Sequence, residues 1–245
     1  YRFKDGDLRG HNFGNLLLCA GQLMTGDMQS SIEMAKKLLN IEQDIFPIAE
    51  RGTELILEQE GQEVRGDFRI VKEELEAPFD LRVEPQLSAS KNVIEAISNA
   101  DVIIIAPGNF YCSVIPQFMY GGIKEAIEAS DAKLIMLSNL VNFVGHTDDF
   151  DVQDYIEELQ RITGVVPDTI IYNVEDIPMD ILSPGVKPVG FRTNQPGLNQ
   201  KFVGTELVSK DIIKYDATDT VLTRSLVRHD KEKLYKAILE VIGSL

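Results

Sequence analysis

Hydrophobic residues change their spacing along this chain, and each spacing predicts a different kind of element. Toward the start they recur at helical spacing, as at Met34 and Leu38, which predicts helices. From Thr53 onward they alternate with charged residues on both sides of a Gly-bearing turn, which predicts a β-hairpin. Farther on, unbroken β-branched runs such as residues 101–106 are typical of strands buried on both faces of a parallel sheet.

The predicted helices and strands alternate through the second half of the chain. Helices are predicted over residues 15–24, 30–39, 88–100, 115–130, 151–163 and 230–242. Strands are predicted over residues 101–106, 132–139, 168–173 and 220–222, and a further extended piece ends at Pro85. Because strand–helix–strand units form right-handed crossovers, the predicted fold class is α/β, a doubly wound parallel sheet with a β-hairpin insertion. A single domain over residues 1–245 accounts for this pattern, with the insertion at about 50–85 and an irregular Pro- and Gly-rich lobe at about 174–210.

The charge balance limits the partners that the protein can have. With 24 Lys and Arg against 39 Asp and Glu, the formal net charge is −15. Nucleic acids and anionic lipid surfaces are bound by clustered positive charge, so we expect neither as a partner. A phosphate-bearing ligand must therefore be held locally, by backbone N–H groups and one or two arginines.

Cysteine usage and the apolar runs indicate where the protein works. Cys19 and Cys112 have no disulfide or zinc spacing around them, which favours a reducing cytoplasm. The longest apolar run, near residues 102–106, is far shorter than the roughly 20 residues that span a bilayer, so no membrane insertion is expected. The chain opens on alternating charges rather than a signal peptide, and without an initiator Met, so we expect a further segment to precede Tyr1.

Three polar loops follow the predicted buried strands directly, at residues 107–116, 139–149 and 173–178. In an open parallel sheet, ligands bind beyond the carboxyl ends of the strands, so these loops should converge on one crevice. In the first loop, Pro107-Gly108 allows a tight turn, and residues 109–113 lead to a helix start whose N–H groups can bind an anion. An ordinary strand-to-helix turn would use the same residues, so both interpretations stay open.

The polar segment at residues 9–15 adjoins a predicted apolar helix. His11 could act as a general base or donate a hydrogen bond, and Asn12 and Asn15 offer amide donors and acceptors. Equally, Asn12 could be a helix N-cap and His11 a partly buried ring with no further role.

Two charged segments allow similar alternatives. Residues 228–230, Arg-His-Asp, open the last helix, where the aspartate suffices as an N-cap and its neighbours could be solvated. The acidic residues at 148–151 could bind a metal, but a capped helix start favoured by the helix dipole explains them as well.

Four segments together resemble the CofD/YvcK family in order and spacing. They are RGHNFGNLLL (9–18), APGNFYCSVIPQF (106–118), SNLVNFVGHTDDFDVQDYIEEL (138–159) and VRHDKEKLYKAIL (227–239). The resemblance extends over most of the chain and implies a Rossmann-like parallel sheet, in agreement with the pattern above. One branch, CofD, joins a phospholactate- or phosphoenolpyruvate-derived unit to a deazaflavin alcohol with Mg²⁺. The other branch, YvcK, comprises gluconeogenesis factors that bind UDP-sugars and are implicated in cell shape; the hairpin insertion, the GHNFGNLLL spelling and the late RHD look more like this branch.

The resemblance also implies a ligand and a site. The leading expectation is a cytoplasmic, non-enzymatic protein that binds UDP-N-acetylglucosamine or UDP-glucose and forms a homodimer, with a role in cell shape and carbon metabolism. Mg²⁺ enters only under the alternative of a CofD-like 2-phospho-L-lactate transferase; an interaction protein with a vestigial pocket is a third possibility. Arg228 would pair with a phosphate, because the guanidinium fork suits bidentate binding. The expected ligand-binding residues are His11, Asn12, Asn15, Gly108, Asn109, Tyr111, Ser113, Asn139 and Arg228, with no catalytic residue and no metal ligand among them.

The sequence departs from the family pattern in three places. The family's Gly-Ser-x-Tyr-Thr-Ser is Gly-Asn-Phe-Tyr-Cys-Ser at residues 108–113, and its Asn-x-Met-Thr-Gln-x-Gly-Glu-Thr is Asn-Leu-Val-Asn-Phe-Val-Gly-His-Thr at residues 139–147. These changes weaken the case for catalysis more than the case for binding. The family's Gly-rich loop after its first strand is expected in the preceding segment. A tyrosine that YvcK proteins place near the sugar nucleotide falls near Ile181, which leaves the sugar preference open.

Overall fold

The fold is built on two β-sheets, which a computed structural model describes over residues 3–192, 199–210 and 227–244. Within these ranges the strands are β1 (Glu54–Gln59), β2 (Gln62–Arg65), β3 (Phe79–Glu84), β4 (Val102–Ile105), β5 (Lys133–Leu137), β6 (Thr169–Asn173) and β7 (Lys201–Thr205). The α-helices are α1 (Phe13–Thr25), α2 (Met28–Leu39), α3 (Asp67–Ile70), α4 (Lys91–Ser98), α5 (Ile123–Ala129), α6 (Val152–Thr163) and α7 (Lys231–Ile242). Short helical turns lie at Phe110–Val114, which is a π-helical turn, and at Ile115–Met119 and Met179–Ile181, which are 3₁₀. The antiparallel sheet has the order β2-β1-β3, and the parallel sheet has the order β4-β5-β6-β7.

The parallel sheet is covered on both faces. Along β5, Leu134 and Met136 belong to one hydrophobic cluster, whereas Ile135 and Leu137 belong to another. The first cluster contains the apolar side of α6, and the second contains the buried side of α7. Because helices lie against both faces, side chains that point in either direction are buried, which explains the unbroken apolar run. The predicted α/β class with a central parallel sheet is confirmed.

The antiparallel sheet contains the predicted hairpin and adds β3 to it. The hairpin turns at Glu60 and Gly61, whose φ angles are 53° and 75°, as a tight two-residue turn of this hand requires. Ile56 of β1 is fully buried, although its cross-strand partners are Arg65 and Arg82. Both arginines are paired with glutamates of the same sheet, so their methylene stems can cover Ile56 while their charged ends remain in ion pairs.

The predicted helix over residues 115–130 is wrong in its first half. Only Ile123–Ala129 is α-helical, and the residues before it form the 3₁₀ turn. Pro116 has no backbone N–H for a regular helical ladder, and Gly122 has a φ of 92°, which lies outside the helical region. Pro116 and Gly122 therefore interrupt what the apolar spacing alone predicts as one continuous helix.

The hairpin and the lobe at about 174–210 also differ from what the hydrophobic pattern alone predicts. The second strand of the hairpin ends at Arg65, because Gly66 has a φ of 89° and begins α3 instead. Within the lobe expected to be irregular, β7 pairs in parallel with β6 and extends the sheet by one strand. The strand predicted at residues 220–222 lies outside the described residues.

Candidate functional site

The candidate site is a cleft beyond the carboxyl ends of β4 and β5. Its volume is about 640 Å³, within the range of small-ligand sites. Four parts of the chain form its walls: the loop after β4, the loop after β5, residues 183–186 and the residues just before α7. The described residues that line it are Val71, Pro107, Gly108, Asn109, Asn139, Leu140, Val141, Asn142, Phe143, Val144, Ser183, Pro184, Val186, Val227, Arg228 and His229. The first two of the three predicted loops therefore meet at one crevice.

The turn after β4 hydrogen-bonds mainly to itself. Asn109 accepts the Cys112 N–H with its side-chain Oδ1 at 3.0 Å and the Ser113 N–H with its carbonyl at 2.8 Å. The N–H groups of residues 109–113 are predicted from the sequence to bind an anion, but two of them already form hydrogen bonds within the turn. The Asn109 Nδ2 group is buried and has no hydrogen-bond partner among the described residues. Because the Cys112 N–H fixes which end of the amide is oxygen, the unpaired end is the donor.

Asn139 joins the ends of two neighbouring strands. Its Nδ2 donates to the Gly108 carbonyl at 2.9 Å, and its side chain also hydrogen-bonds with the Tyr155 hydroxyl. Burial raises the pKa of Tyr155 to about 12, so this phenol stays protonated. A Cβ added at Gly108 would lie 3.5 Å from the side chains of Ser113 and Val114, which is an ordinary contact distance. A small side chain at position 108 would therefore face the turn.

The loop after β5 is paired with the chain at residues 187–189. The Asn142 N–H donates to the Lys187 carbonyl at 3.0 Å, and the Lys187 N–H donates to Asn142 Oδ1 at 2.7 Å. The Val189 N–H donates to the Leu140 carbonyl at 3.0 Å. Asn142 is only 5% exposed, and its Nδ2 has no partner among the described residues. This pairing brings residues 183–186 to the edge of the cleft.

His146 attaches the same loop to the hairpin insertion. Its Nε2 lies 3.0 Å from the Ile70 carbonyl, and the Leu75 N–H donates to the Gly145 carbonyl at 2.7 Å. Burial lowers the pKa of the His146 ring and outweighs the opposite effect of its hydrogen bond to the Ile70 carbonyl. These contacts place Val71 against the cleft, so the insertion contributes part of one wall.

The residues before α7 are fixed by backbone bonds on both sides. The Ser209 N–H donates to the Arg228 carbonyl at 2.8 Å, and the Asp230 N–H donates to the Leu207 carbonyl at 2.7 Å. The Asp230 side chain caps α7 by accepting two backbone N–H groups. The structural role expected for Asp230 is thus confirmed, and its two preceding residues line the cleft.

The described lining of the cleft contains the cation Arg228 and no carboxylate. Arg228 is exposed, and no carboxylate of the described residues forms an ion pair with it. Burial lowers the pKa of the His229 ring, and its hydrogen bond to the Ser138 backbone acts in the opposite direction. The His229 Nε2 is buried without a partner in the described ranges. None of the described lining residues is Asp or Glu, although the chain carries a net charge of −15.

The acidic residues after the β5 loop are used in local structure. Asp148 accepts the Gly145 N–H at 2.6 Å, and Asp149 forms an ion pair with Lys187. Asp151 caps α6 in a capping box. Each carboxylate thus has a partner, as expected if these residues begin a helix rather than hold a metal.

The segment before α1 does not contribute to the described lining of the cleft. His11 and Asn15 are exposed, and Asn12 is the N-cap of α1, with its Oδ1 accepting the Gly14 N–H at 2.8 Å. The alternative of a structural cap therefore describes Asn12 well. The described geometry does not bring these three residues together with Asn109 and Arg228.

Two other expected site residues also lie apart from the lining. Tyr111 is 2% exposed, and its hydroxyl donates to Glu158 Oε1 at 2.8 Å. Burial in the core raises the pKa of Tyr111 above its usual range. Ser113 is exposed on the π-helical turn beside the cleft. Of the expected residues, the cleft brings together Gly108, Asn109, Asn139 and Arg228.

The third predicted loop, residues 173–178, holds α7 rather than lining the cleft. Glu175 accepts a hydrogen bond from Lys233 of α7 at 2.7 Å. Asn173 Oδ1 accepts the Leu207 N–H at 3.0 Å. Residues 183–186, farther along the same connection, form the wall instead, and the sequence carries no signal that distinguishes the two stretches.

The sequence and the fold match a known group of proteins. The family model described as 2-phospho-L-lactate transferase CofD matches residues 1–241. The chain belongs to the CofD family. This CofD-family chain is 28% identical to the gluconeogenesis factor of Bacillus subtilis, over 99% of this chain and 75% of the relative. It is 30% identical to the gluconeogenesis factor of Halalkalibacterium halodurans, over 98% of this chain and 73% of the relative.

Solved structures confirm the fold of this CofD-family chain. A crystal structure of a Bacillus halodurans protein matches with a TM-score of 0.84 and 29% identity, covering 98% of this chain and 76% of that one. A structure described as a UPF0052 family member from the same organism matches with a TM-score of 0.82. The predicted relation to the CofD/YvcK family is confirmed.

The described part of the cleft does not fit Mg²⁺. This ion prefers carboxylate and water oxygens, and the described lining provides no carboxylate. Across the described ranges, no group of three or more His, Cys, Asp and Glu side chains is arranged to hold a metal.

In the same ranges, no helix has both the length and the apolar character that a bilayer crossing demands.

Proposed function

We propose that this CofD-family protein binds a UDP-sugar in the cleft and acts as a gluconeogenesis factor rather than as an enzyme. The relatives from Bacillus subtilis and Halalkalibacterium halodurans carry that name, which supports the assignment. The ligand is UDP-N-acetylglucosamine or UDP-glucose. The proposal includes the cytoplasm as the place of action, a homodimer, and a role in cell shape and carbon metabolism, all of which rest on the family resemblance.

One observation carries the proposal: the described lining holds an arginine, no carboxylate, and buried polar atoms that have no partner among the described residues. The unpaired atoms belong to Asn109, Asn142 and His229. A buried polar group without a partner costs about 1–3 kcal/mol, so a ligand that hydrogen-bonds to it recovers that free energy. The neighbouring cation Arg228 favours an anionic ligand, because nothing acidic in the described lining opposes it.

The described lining of the cleft includes both polar and apolar residues, as a nucleotide sugar requires. Arg228 would pair with the diphosphate, because the guanidinium fork suits bidentate binding. Val141, Phe143 and Val186 offer apolar surface against which a base or sugar ring can pack. Of the residues expected from the sequence, Gly108, Asn109, Asn139 and Arg228 line this cleft. His11, Asn12 and Asn15 could join it only if the ligand extends beyond the described lining.

Calorimetry with the protein and UDP-N-acetylglucosamine tests this function. We expect saturable one-site binding and a rise in melting temperature, because a ligand at 100 times its Kd stabilises the folded state by about 2.7 kcal/mol. UDP-glucose establishes which sugar is preferred, and GDP serves as the base control. Absence of binding by both UDP-sugars would refute the proposal.

The family model favours one second candidate, a 2-phospho-L-lactate transferase that acts on a deazaflavin acceptor. The poor fit of the described cleft to Mg²⁺ argues for the first function over this one. Product formation that depends on Mg²⁺ and a deazaflavin alcohol would establish the transferase. Binding of UDP-sugar without such turnover would establish the first function.

A further inference from the structure

Two side-chain amides in the cleft are locked in one orientation by the backbone. Asn109 Oδ1 accepts the Cys112 N–H at 3.0 Å, and Asn142 Oδ1 accepts the Lys187 N–H at 2.7 Å. An unrestrained asparagine can turn either its oxygen or its nitrogen toward a ligand. At these two positions the oxygen is already in use, so only the NH₂ group remains available.

The available NH₂ groups are buried and unpaired. Neither Nδ2 has a hydrogen-bond partner among the described residues, and Asn142 is only 5% exposed. Asn139 lies in the same cleft and provides the contrast, because its Nδ2 donates to the Gly108 carbonyl at 2.9 Å. Of the three asparagines in the described lining, two thus have donors without a partner among the described residues, while the third joins the ends of two strands.

We propose that Asn109 and Asn142 are the specificity-determining residues of the cleft and that they donate to the phosphate oxygens of its ligand. This assignment rests on the proposed function and deepens it, since it transfers diphosphate recognition from the backbone turn to two side chains. Two side chains that can only donate favour a group that can only accept, and ionised phosphate oxygens are such groups. Arg228 adds the positive charge that selects an ionised acceptor over a neutral carbonyl.

The backbone turn is poorly suited to replace these side chains. The N–H groups of Cys112 and Ser113 are taken by Asn109 itself, within the turn. The same bond that takes the Cys112 N–H also orients the Asn109 amide. Within the turn, the Cys112 N–H is already hydrogen-bonded, and the Asn109 Nδ2 remains as the donor beside the cleft.

Calorimetric titration of the whole chain with pyrophosphate and with UDP-N-acetylglucosamine tests the assignment. In Asn142→Asp, one carboxylate oxygen can still accept the Lys187 N–H, but the donor is lost and a negative charge replaces it. Asn142→Leu removes the donor without adding charge, but it also removes the acceptor of the Lys187 N–H, so the melting temperature of each variant is measured to show that the fold is intact. Asn92→Asp makes the same atomic change at an exposed position in the first turn of α4, where an acid suits the helix dipole.

We expect both Asn142 variants to weaken both probes by about 10- to 150-fold, the size of a hydrogen bond to a charged group, while Asn92→Asp binds normally. If UDP-N-acetylglucosamine binds the parent and both Asn142 variants equally, the assignment is wrong and the proposed function stands. If pyrophosphate binding depends on Asn142 but the nucleotide sugar binds no better than pyrophosphate, the assignment stands and the UDP-sugar function fails. If neither probe binds the parent, both are refuted.

Discussion

Two asparagine-bearing segments of this protein look alike in polarity but differ in how their amides are used. Before α1, Asn12 caps the helix through its Oδ1, and Asn15 is exposed to solvent. In the cleft, Asn109 also caps a helical turn through its Oδ1, yet its nitrogen is buried and unpaired within the described residues. Asn142 repeats the second arrangement in the loop after β5.

Polarity alone therefore does not identify a ligand-binding residue. An amide in solvent can exchange hydrogen bonds with water and has no free energy to recover from a ligand. A buried amide whose second end is unpaired does have such free energy, because desolvation has removed its water partners. The cleft asparagines therefore qualify as ligand groups on physical grounds that the N-terminal asparagines do not share.

Removing the cation of the cleft should have the largest effect on affinity. We expect Arg228→Ala to weaken UDP-sugar binding by about 1.5–3 kcal/mol, because a charge-assisted hydrogen bond to the diphosphate is lost. The melting temperature of the unliganded protein should change little, since Arg228 is exposed. Calorimetry measures the affinity, and Arg51→Ala, which removes another exposed arginine, is the matched control. Unchanged affinity in Arg228→Ala would remove Arg228 from the site.

The same substitution in both segments would sharpen the comparison. Asn109→Asp keeps an oxygen to cap its turn but loses the donor and places a negative charge beside the phosphate. We expect it to lose about tenfold or more in affinity, which corresponds to about 1.4 kcal/mol. Asn12→Asp also keeps its cap, because aspartate is as good an N-cap as asparagine, and should retain the parent's affinity. Equal losses in the two variants, measured by calorimetry, would show that the two segments act alike.

Much of the fold follows from sequence because its signals are local. The apolar runs of β4 and β5, and Asp151 and Asp230 as helix caps, can be predicted from spacing and residue type. The unpaired donor of Asn142 cannot be predicted in this way. The amide is oriented by the Lys187 N–H, which lies 45 residues farther along the chain. Val71 is placed at the cleft by contacts between the β5 loop and the insertion, such as that of His146 with Ile70, which is again a tertiary effect.

Acidification should destabilise the protein through the buried histidine of the β5 loop. Burial lowers the pKa of His146, so the unfolded chain binds a proton more readily than the folded chain. The free energy of unfolding therefore falls as the pH drops through about 6.5, the ordinary pKa of histidine. We expect a lower melting temperature at pH 5.5 than at pH 7.5.

The variant His146→Gln should reduce this pH dependence without abolishing it. His229, whose pKa is also lowered by burial, contributes in the same direction. His11→Gln changes an exposed ring and is the matched control. A pH dependence that is the same in the parent and in His146→Gln would contradict the role assigned to burial at His146.

The smallest effect should come from His11 itself. Glutamine keeps a donor and an acceptor, so His11→Gln should bind UDP-sugar to within about tenfold of the parent. The described position of His11, exposed and apart from the cleft lining, favours the lower end of that range. A larger loss by calorimetry would extend the ligand site to the segment before α1.

The most direct test of the central claim is an NMR titration of ¹⁵N-labelled protein with UDP-N-acetylglucosamine, with the asparagine side-chain NH₂ signals assigned by single Asn→Asp variants. We expect the Asn109 and Asn142 signals to shift together as UDP-N-acetylglucosamine binds, while the Asn12 and Asn15 signals stay in place. Shifts at Asn12 and Asn15 without shifts at Asn109 and Asn142 would contradict this claim.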